Sequence, residues 1–467
     1  MEHADLVFTG GAVITVDGAD RIAEAVAVTG GLITAVGTAE EVGAAIGPDT
    51  RVVRLDGGAV LPGINDSHLH AAMLGAYWPA MWLDGMADGG FPVPRQLADR
   101  ADRRAAIDLA ADVLQPLGIT SYTEPGLGPG ARGQHGGACD DETLAAYVDA
   151  ATAGELRARV TVLRLFGELD GLSTVADLVA GLDRSTGADD VDPRWLAVAG
   201  VKLFADGIPP MHSAWMSEPY LGGGHGTLMV EGDDDDARLA ALRAMIGHAH
   251  RAGCQIGVHA TGDRAVGETV RAMAEALAAD ADSAAGSDAT AGSAAARRHY
   301  IIHGDAIGPD TLTTMAEHGI GVNAQPSIYT ATPGMLEPAI GACRTDELLP
   351  LRSALDAGVP VCLSSDGPVT MPDWRRGVAS AVLRTAEAGP VRGPDQRIAV
   401  TEALRAYTMS GARQDGAEDW KGSIEVGKVA DLCVLAADPL TAPPEKIPEI
   451  EIRMTVLDGR VVFDREA

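Results

Sequence analysis

The chain has 467 residues, of which 46% are hydrophobic and 4% aromatic, which is enough apolar material for a large core built on Ala, Val and Leu. Its 66 acidic and 36 basic residues give a formal charge of −30, which argues against nucleic acid or an anionic membrane as a partner. The five cysteines have no C-x-x-C spacing, and neither a membrane span nor a signal peptide is predicted, so we expect a cytoplasmic protein.

Short strands separated by glycine turns are predicted at both ends of the chain, over residues 1–58 and 421–467. Because chain termini often lie close together, the two ends are expected to complete one small β-sandwich between them. The candidate strands are Asp5–Phe8, Gly11–Val16, Ala23–Val28, Leu32–Gly37, Arg51–Leu55, Asp431–Leu435, Ile452–Leu457 and Val461–Phe463.

Strands that alternate with helices are predicted over residues 59–420. The candidate strands are Ala59–Ile64, Ile119–Thr123, Val160–Phe166, Gly200–Phe204, Gln255–His259, Tyr300–His303, Ile320–Ala324 and Val359–Ser364, with helical patterns between most of them, including Thr345–Ala357. Eight such strands predict an α/β fold with a parallel (β/α)8 barrel. The low-complexity stretch 279–296 predicts a mobile surface loop.

Two histidines follow the first predicted barrel strand, and they stand two residues apart. In an extended chain, residues i and i+2 point to the same side, so His68 and His70 present their rings together. Neutral imidazole suits zinc, iron and nickel, and the pair therefore predicts half of a metal site. Two exposed histidines in a loop are the plainer alternative for this pair alone.

Further polar residues stand at the ends of other predicted strands, where function collects in a barrel of this kind. They are Lys202 of the fourth strand, His259 of the fifth, His303 of the sixth and Asp366 after the eighth. With His68 and His70, the histidines and the aspartate would supply five nitrogen and oxygen donors from four strand ends. A donor set without cysteine suits a hydrolytic zinc, manganese or iron centre.

Lys202 lies between Val201 and Leu203, so strand alternation points its side chain into the barrel. A buried ammonium group must be paired, deprotonated or modified, because an unpaired one costs several kcal/mol. Burial lowers the pKa of a lysine, and a neutral amine can take up CO2 to become a carbamate that bridges two metals. An ion pair with an inward carboxylate such as Glu124 is the alternative.

The donor set predicts a reaction. A bound metal would lower the pKa of water and supply hydroxide at neutral pH, and a second would polarise the scissile carbonyl. Asp366 would accept the proton of the water and pass it to the leaving nitrogen. His303 or a loop donor would stabilise the tetrahedral oxyanion.

Seven stretches together resemble the metal-dependent amidohydrolase superfamily, and within it the amidohydrolase 3 branch that includes N-substituted formamide deformylases. They are residues 61–70, 201–207, 258–266, 302–304, 364–368, 402–408 and 421–432. The resemblance implies a distorted barrel with a composite β-sandwich. It implies one or two divalent ions, zinc first, held by His68, His70, His259, His303 and Asp366, with Lys202 as a carboxylated bridge.

The predicted function is hydrolysis of a non-peptide C–N bond in an amide, formamide, carbamate or cyclic amide, by attack of metal-activated hydroxide. A deaminase acting on an aminated ring at a one-metal site is the alternative, and a non-catalytic metal-binding scaffold is a third hypothesis. The expected partner is a small-molecule substrate, with a homodimer as the assembly considered. Candidate substrate-binding residues are Glu124, Trp78, Trp82, Trp215 and Tyr220. For Glu124, which stands where the family often has an aspartate, metal contact and an ion pair with Lys202 are also open.

Overall fold

Two eight-stranded sheets organise the computed structural model, which describes residues 3–87, 89–285, 297–386 and 389–467. The strands are β1 Leu6–Ile14, β2 Ile22–Thr29, β3 Leu32–Gly37, β4 Arg51–Arg54, β5 Ala59–Pro62, β6 Ile64–Asp66, β7 Ile119–Leu127, β8 Arg159–Arg164, β9 Leu196–Phe204, β10 Gln255–Ala260, β11 Tyr300–His303, β12 Gly321–Ala324, β13 Val361–Leu363, β14 Leu432–Leu435, β15 Ile452–Leu457 and β16 Arg460–Asp464.

The α-helices of the described residues lie mainly between the barrel strands. They are α1 Ala39–Gly43, α2 Ala71–Tyr77, α3 Trp82–Ala87, α4 Arg100–Leu114, α5 Asp141–Thr152, α6 Val175–Leu182, α7 Asp235–Arg251, α8 Asp263–Ala285, α9 Pro309–His318, α10 Pro326–Ala331, α11 Pro333–Ile340, α12 Ala342–Glu347, α13 Leu351–Asp356, α14 Trp374–Leu383, α15 Val400–Ala406 and α16 Met409–Gln414.

The first sheet combines strands from both ends of the chain, as predicted. Its order is β16-β15-β14-β5-β1-β2-β3, with β4 beside β1. The junction between the two ends is the antiparallel pair of β14 and β5, in which Leu432 faces Pro62 and Leu435 faces Ala59. The sheet curls until its edge strand β3 meets the segment before β14, where the Ile33 N–H donates to the Lys428 carbonyl at 2.8 Å.

The second sheet is the barrel, and it contains β6 to β13 in chain order, all parallel. Its two outer strands, β6 and β13, meet just beyond their carboxyl ends. The Ser365 N–H donates to the Asp66 carboxylate at 3.0 Å, and the Asp366 N–H donates to the His68 carbonyl at 2.9 Å. The predicted distorted (β/α)8 barrel is therefore confirmed.

Burial explains why the sequence of the barrel strands reads as apolar runs. Every residue of β7, β8 and β10 is buried, because helices cover one face of the sheet and the barrel interior the other. Val162, Val201 and Ile256 of the strands belong to the same apolar cluster as Ala106 of α4 and Ile246 of α7.

Aspartates fix the beginnings of three of the outer helices. Asp99, Asp140 and Asp234 each precede a helix and accept a hydrogen bond from the backbone N–H three residues on, at 3.0, 3.1 and 2.8 Å. A side-chain oxygen in this position satisfies one of the N–H groups that a helix leaves unpaired at its start. Helices α4, α5 and α7 therefore begin where the sequence supplies this acceptor.

The predicted strand Ala59–Ile64 is two strands in the structure. Residues 59–62 form β5 of the first sheet, whereas residues 64–66 form β6 of the barrel. Gly63 joins the two strands. A side chain would not fit at this position, because an added Cβ would overlap the hydroxyl oxygen of Thr120. The division into units 1–58, 59–420 and 421–467 stays a prediction. Strand β5, which begins the predicted second unit, pairs with β1 and β14 of the first sheet.

Three further expectations differ from the structure in detail. Asp5–Phe8 and Gly11–Val16 are one strand, β1, which bulges between Thr9 and Val13. The helix expected over 345–357 is interrupted before Leu351 and becomes α12 and α13, since proline at 350 lacks the N–H that a continuous helix needs. Of the expected loop 279–296, residues 279–285 extend α8, as alanine-rich sequence favours, and 286–296 lie outside the described residues.

No helix in the described parts of the chain is both long and apolar enough to cross a membrane. The cytoplasmic location stays a prediction.

Candidate metal centre

The closure of the barrel brings the two ends of its sheet together at one site. His68 and His70 follow β6, and Asp366 follows β13. Backbone hydrogen bonds join these segments, because the Asp366 N–H donates to the His68 carbonyl and the His70 N–H donates to the Gly367 carbonyl, both at 2.9 Å. Side chains that are about 300 residues apart in sequence thus share one point at the carboxyl ends of the strands.

The donor atoms of these three side chains have the spacing of a single-ion site. Nε2 of His68 and Nε2 of His70 lie 3.2 and 3.5 Å from Oδ1 of Asp366. All three side chains are buried, and their donor atoms lie within 4.8 Å of one another. Ligands placed tetrahedrally at zinc–ligand distances of about 2.0–2.1 Å lie about 3.3–3.4 Å apart, so the observed separations fit such an ion.

His303 and His259 continue the cluster on the neighbouring strands β11 and β10. The His303 ring lies 5.5 Å from that of His68 and 4.4 Å from that of His259, between centroids. Together with His70, whose ring centroid is 5.2 Å from that of His68, the four imidazoles form a continuous row.

Hydrogen bonds assign the tautomers of His303 and His259. Nδ1 of His303 lies 2.7 Å from Oε1 of Gln325, and Nε2 of His259 lies 3.1 Å from the Gly207 carbonyl oxygen. Both partners are acceptors, so each of these nitrogens carries the proton. The lone pairs that remain are on Nε2 of His303 and Nδ1 of His259.

Burial keeps the imidazoles in the neutral form that binds metals. It holds the pKa values of His68, His70 and His259 well below the usual histidine range, and that of His303 at about 3. The positive charge of Lys202 adds to the shift in each case. Nδ1 of His68 is also buried with no hydrogen-bond partner in the described structure.

Lys202 projects from β9 into the barrel and is 1% exposed. Burial lowers its pKa to about 8, and the charges of Asp366 and Asp170 oppose the shift. Within the described residues it forms no ion pair, and its Nζ lies 4.6 Å from the centroid of the Phe204 ring. The ion pair with Glu124 that the sequence left open is therefore not formed.

Glu124 lies on β7 behind His70, where it is 1% exposed. Its Oε2 accepts hydrogen bonds from the Tyr147 hydroxyl at 2.8 Å and from the Ala72 N–H at 3.1 Å. Its Oε1 lies 3.7 Å from Nδ1 of His70. Burial raises the pKa of Glu124 to about 7, and these donors oppose the rise.

Two residues of the cluster have backbone conformations that are uncommon for side chains with a Cβ. The φ angles of His303 and Asp366 are 71° and 56°, in the left-handed region. His303 ends β11 and Asp366 stands three residues after β13, so in both places the chain turns away from the barrel at its mouth. Such strained residues concentrate at functional sites.

The aromatic residues predicted to bind substrate lie in two environments. Trp82 stacks on His135 with ring centroids 5.2 Å apart, and Trp78 is 36% exposed nearby in the chain. Trp215 and Tyr220 are buried within the loop after β9, where Arg264 covers Trp215 and the Tyr220 hydroxyl donates to the Ala214 carbonyl at 2.7 Å. Their contact with substrate stays a prediction.

Sequence reasoning did not identify Gln325, which contacts His303, or Tyr147, which contacts Glu124. Gln325 comes directly after β12, so the rule that polar residues matter at strand ends points to it. Its amide donates to the Asn323 carbonyl at 3.1 Å and to the Ser364 hydroxyl at 2.9 Å, which turns Oε1 toward His303. Tyr147 lies on an outer helix, α5, and no local pattern marks it.

Comparison with known proteins shows which family the sequence matches. The model of the family described as "Amidohydrolase family" matches residues 89–463. The crystal structure of an uncharacterized metal-dependent hydrolase from Pyrococcus horikoshii OT3 superposes with a TM-score of 0.72 at 18% identity, covering 94% of this chain and 99% of that one. This likeness shows the shared fold.

Two curated relatives match over shorter stretches. A Bacillus subtilis (strain 168) protein named as an amidohydrolase, YtcJ, is 25% identical over 287 residues, which are 61% of this chain and 50% of that protein. The N-substituted formamide deformylase of Arthrobacter pascens is 39% identical over 119 residues, 26% of this chain and 22% of the enzyme. The chain thus spans about half the length of the first relative and less of the second.

Proposed function

The chain belongs to the amidohydrolase family, and from this premise we propose that it is a metal-dependent hydrolase that cleaves a C–N bond other than a peptide bond. The observation that carries the proposal is the meeting of His68 Nε2, His70 Nε2 and Asp366 Oδ1 at the barrel mouth, with separations of 3.2 and 3.5 Å from the aspartate oxygen.

The residues present fit a divalent ion. His68, His70 and Asp366 would hold it, and the free nitrogens of His303 and His259 would complete the site or hold a second ion with Lys202. Nitrogen and oxygen donors without cysteine favour zinc, with manganese and iron as alternatives. When bound, the ion supplies Lewis acidity, which polarises a carbonyl group and lowers the pKa of water.

The protein's own groups supply the proton transfers. Asp366 stands where it can accept the proton of the attacking water and return it to the leaving nitrogen. The Nε2 of His303, whose ring is held by Gln325 through Nδ1, carries a lone pair, so it is proposed to bind the ion rather than to donate a hydrogen bond to the carbonyl oxygen. The burial of the cluster excludes bulk water and strengthens each of these interactions.

Lys202 is proposed to be carboxylated. Burial lowers the pKa of this amine to about 8, which increases its neutral fraction, and among the described residues it forms no ion pair. Conversion to a carbamate replaces the cation by an anion, which suits a site that gathers divalent ions. Isotopically labelled bicarbonate is expected to give a carbamate resonance in the wild-type protein and none in Lys202→Met.

The substrate class proposed is a small amide, formamide, carbamate or cyclic amide. Its support is the stretch that is 39% identical to the N-substituted formamide deformylase. The aromatic cluster around Trp82 is proposed to bind the apolar part of such a molecule. A homodimer stays a prediction.

Metal content and a substrate panel test the proposal together. The metal-loaded protein is expected to hydrolyse at least one member of a panel of formamides, amides, carbamates and cyclic amides, with release of an amine or opening of the ring, and to lose this activity on chelation. Release of ammonia from aminated rings, with none of these substrates cleaved, would establish the deaminase instead. Full metal occupancy without turnover of any substrate would support the scaffold.

A further inference from the structure

Each ring nitrogen of His70 faces a different carboxylate. Nε2 lies 3.5 Å from Oδ1 of Asp366, in the candidate metal site, and Nδ1 lies 3.7 Å from Oε1 of Glu124, behind it. The ionised form of Glu124 can only accept a hydrogen bond at Oε1, so it favours the His70 tautomer that carries its proton on Nδ1. That tautomer leaves the lone pair on Nε2.

The carboxylate of Glu124 is itself held in place by fully buried groups. The Tyr147 hydroxyl donates to its Oε2 at 2.8 Å, and the hydroxyl of Tyr122 lies 3.2 Å from that of Tyr147. Since Tyr147 gives its only proton to Glu124, its oxygen accepts from Tyr122. The three side chains are 0–3% exposed, so this chain of hydrogen bonds runs in one direction inside the protein.

Glu124 also fixes the backbone that carries His70. Helix α2 begins directly after His70, and the His70 side chain does not cap it. The Ala72 N–H donates to Glu124 Oε2 at 3.1 Å, so a residue 52 positions away in sequence caps the first turn. The carboxylate that binds the backbone after His70 therefore also lies beside the His70 ring.

We propose that Glu124 is a positioning residue of the metal centre, which accepts the Nδ1–H of His70 and thereby directs the Nε2 lone pair to the ion. This inference rests on the proposed function, since it requires that the centre binds a divalent metal. In this position two donors occupy the Oε2 of Glu124, and among the described residues it forms no ion pair with Lys202, so its Oε1 is the oxygen that faces His70.

The test measures zinc affinity of the full chain by competition with a chromophoric chelator. Glu124→Gln is expected to weaken zinc binding by about 10–100-fold, the usual cost of losing such an outer hydrogen bond to a metal-binding histidine. Tyr147→Phe keeps the carboxylate but removes one of its donors, so a smaller loss in the same direction is expected. Glu124→Asp, which retains the charge, is expected to recover part of the affinity.

A matched control separates positioning from general stability. Glu418→Gln removes a half-buried carboxylate that pairs with Arg298 through two hydrogen bonds at 2.5 and 2.6 Å, and it is expected to lower the unfolding temperature without changing zinc affinity. Equal zinc affinity in Glu124→Gln, Tyr147→Phe and the wild type would overturn the inference. So would affinity losses that only follow the unfolding temperature of the metal-free variants.

Failure of the proposed function has a different signature. It would appear as a wild-type chain without measurable zinc affinity, whereas failure of the positioning role appears only in the ratio of variant to wild type. The tautomer gives a second readout, because nitrogen NMR of the zinc-loaded wild type is expected to show the His70 proton on Nδ1.

Discussion

Two buried clusters of ionisable groups differ in how they are paired. At the joint between the barrel and the first sheet, the Arg159 guanidinium of β8 donates to Asp431 at 2.7 and 3.1 Å and to Asp458 at 2.9 Å. It donates as well to the Arg194 carbonyl at 3.2 Å and lies over the ring of Trp195. Both carboxylates of this cluster therefore accept hydrogen bonds from the guanidinium.

The candidate metal centre lacks such pairing. Lys202 forms no ion pair in the described structure, and Nδ1 of His68 has no hydrogen-bond partner. The ring nitrogens of His68 and His70 both approach the carboxylate of Asp366, so three possible metal ligands lie together. Leaving buried polar groups incompletely paired costs free energy. The paired cluster joins β8 of the barrel to residues beside the first sheet, whereas the unpaired donors of the second cluster fit the metal ion that we propose.

The largest effect is expected from a substitution that removes the proposed proton acceptor, Asp366, from the candidate metal centre. Asp366→Asn is expected to retain metal while turnover falls by about 10²–10⁴-fold, because the amide oxygen can still coordinate but the group cannot accept a proton. Metal analysis and kcat on a substrate of the wild type measure this. Retained metal with near wild-type turnover would exclude Asp366 from the reaction.

Breaking the paired cluster is expected to affect stability instead. Arg159→Met leaves Asp431, which is 7% exposed, without its partner, and removal of one member of a buried ion pair costs about 3–5 kcal/mol of unfolding free energy. Urea unfolding of the metal-free protein measures the loss. The folded fraction is expected to keep wild-type kcat, and a fall in kcat with unchanged stability would contradict the comparison.

The pH dependence of stability tests whether Lys202 is unpaired. Its pKa in the folded protein, about 8, is below the ordinary value of 10.5, so between these pH values the unfolded chain holds a proton that the folded chain has released. Stability of the metal-free protein is therefore expected to rise across this window, by up to a few kcal/mol relative to Lys202→Met.

Unfolding in buffer freed of CO2, at about pH 7 and about pH 10, measures this difference, since it prevents carbamate formation. Lys202→Met supplies the reference because the other titrating groups remain in it. The same pH dependence in both proteins would mean that folding leaves the pKa of Lys202 at its ordinary value, as expected for a charged lysine with a partner.

The smallest effect is expected from a pair of the same chemistry at the surface. Arg51 of β4 donates to Asp464 of β16 at 2.6 Å and is half exposed. Arg51→Met is expected to change the unfolding free energy by about 0–1 kcal/mol, because solvent screens the attraction. A loss as large as that of Arg159→Met would show that burial does not distinguish the two pairs.

The sequence by itself determined the features that depend on near neighbours in the chain. The alternation of strands and helices predicted the barrel, and the spacing of His68 and His70 placed both rings on one side of a strand end. The polar residues Lys202, His259, His303 and Asp366 stood at other strand ends, and the parallel topology brought those ends to one face. Backbone geometry and side-chain periodicity are local, so they can be read without the fold.

Only the tertiary structure decided which distant groups meet. It showed that Gly63 passes the chain from one sheet to the other, that Tyr147 and Ala72 rather than Lys202 contact Glu124, and that Arg159 pairs with a carboxylate 272 residues away. The reason is physical: the pairing of a buried group depends on distances between elements that are set by packing of the whole chain, and no local pattern encodes those distances.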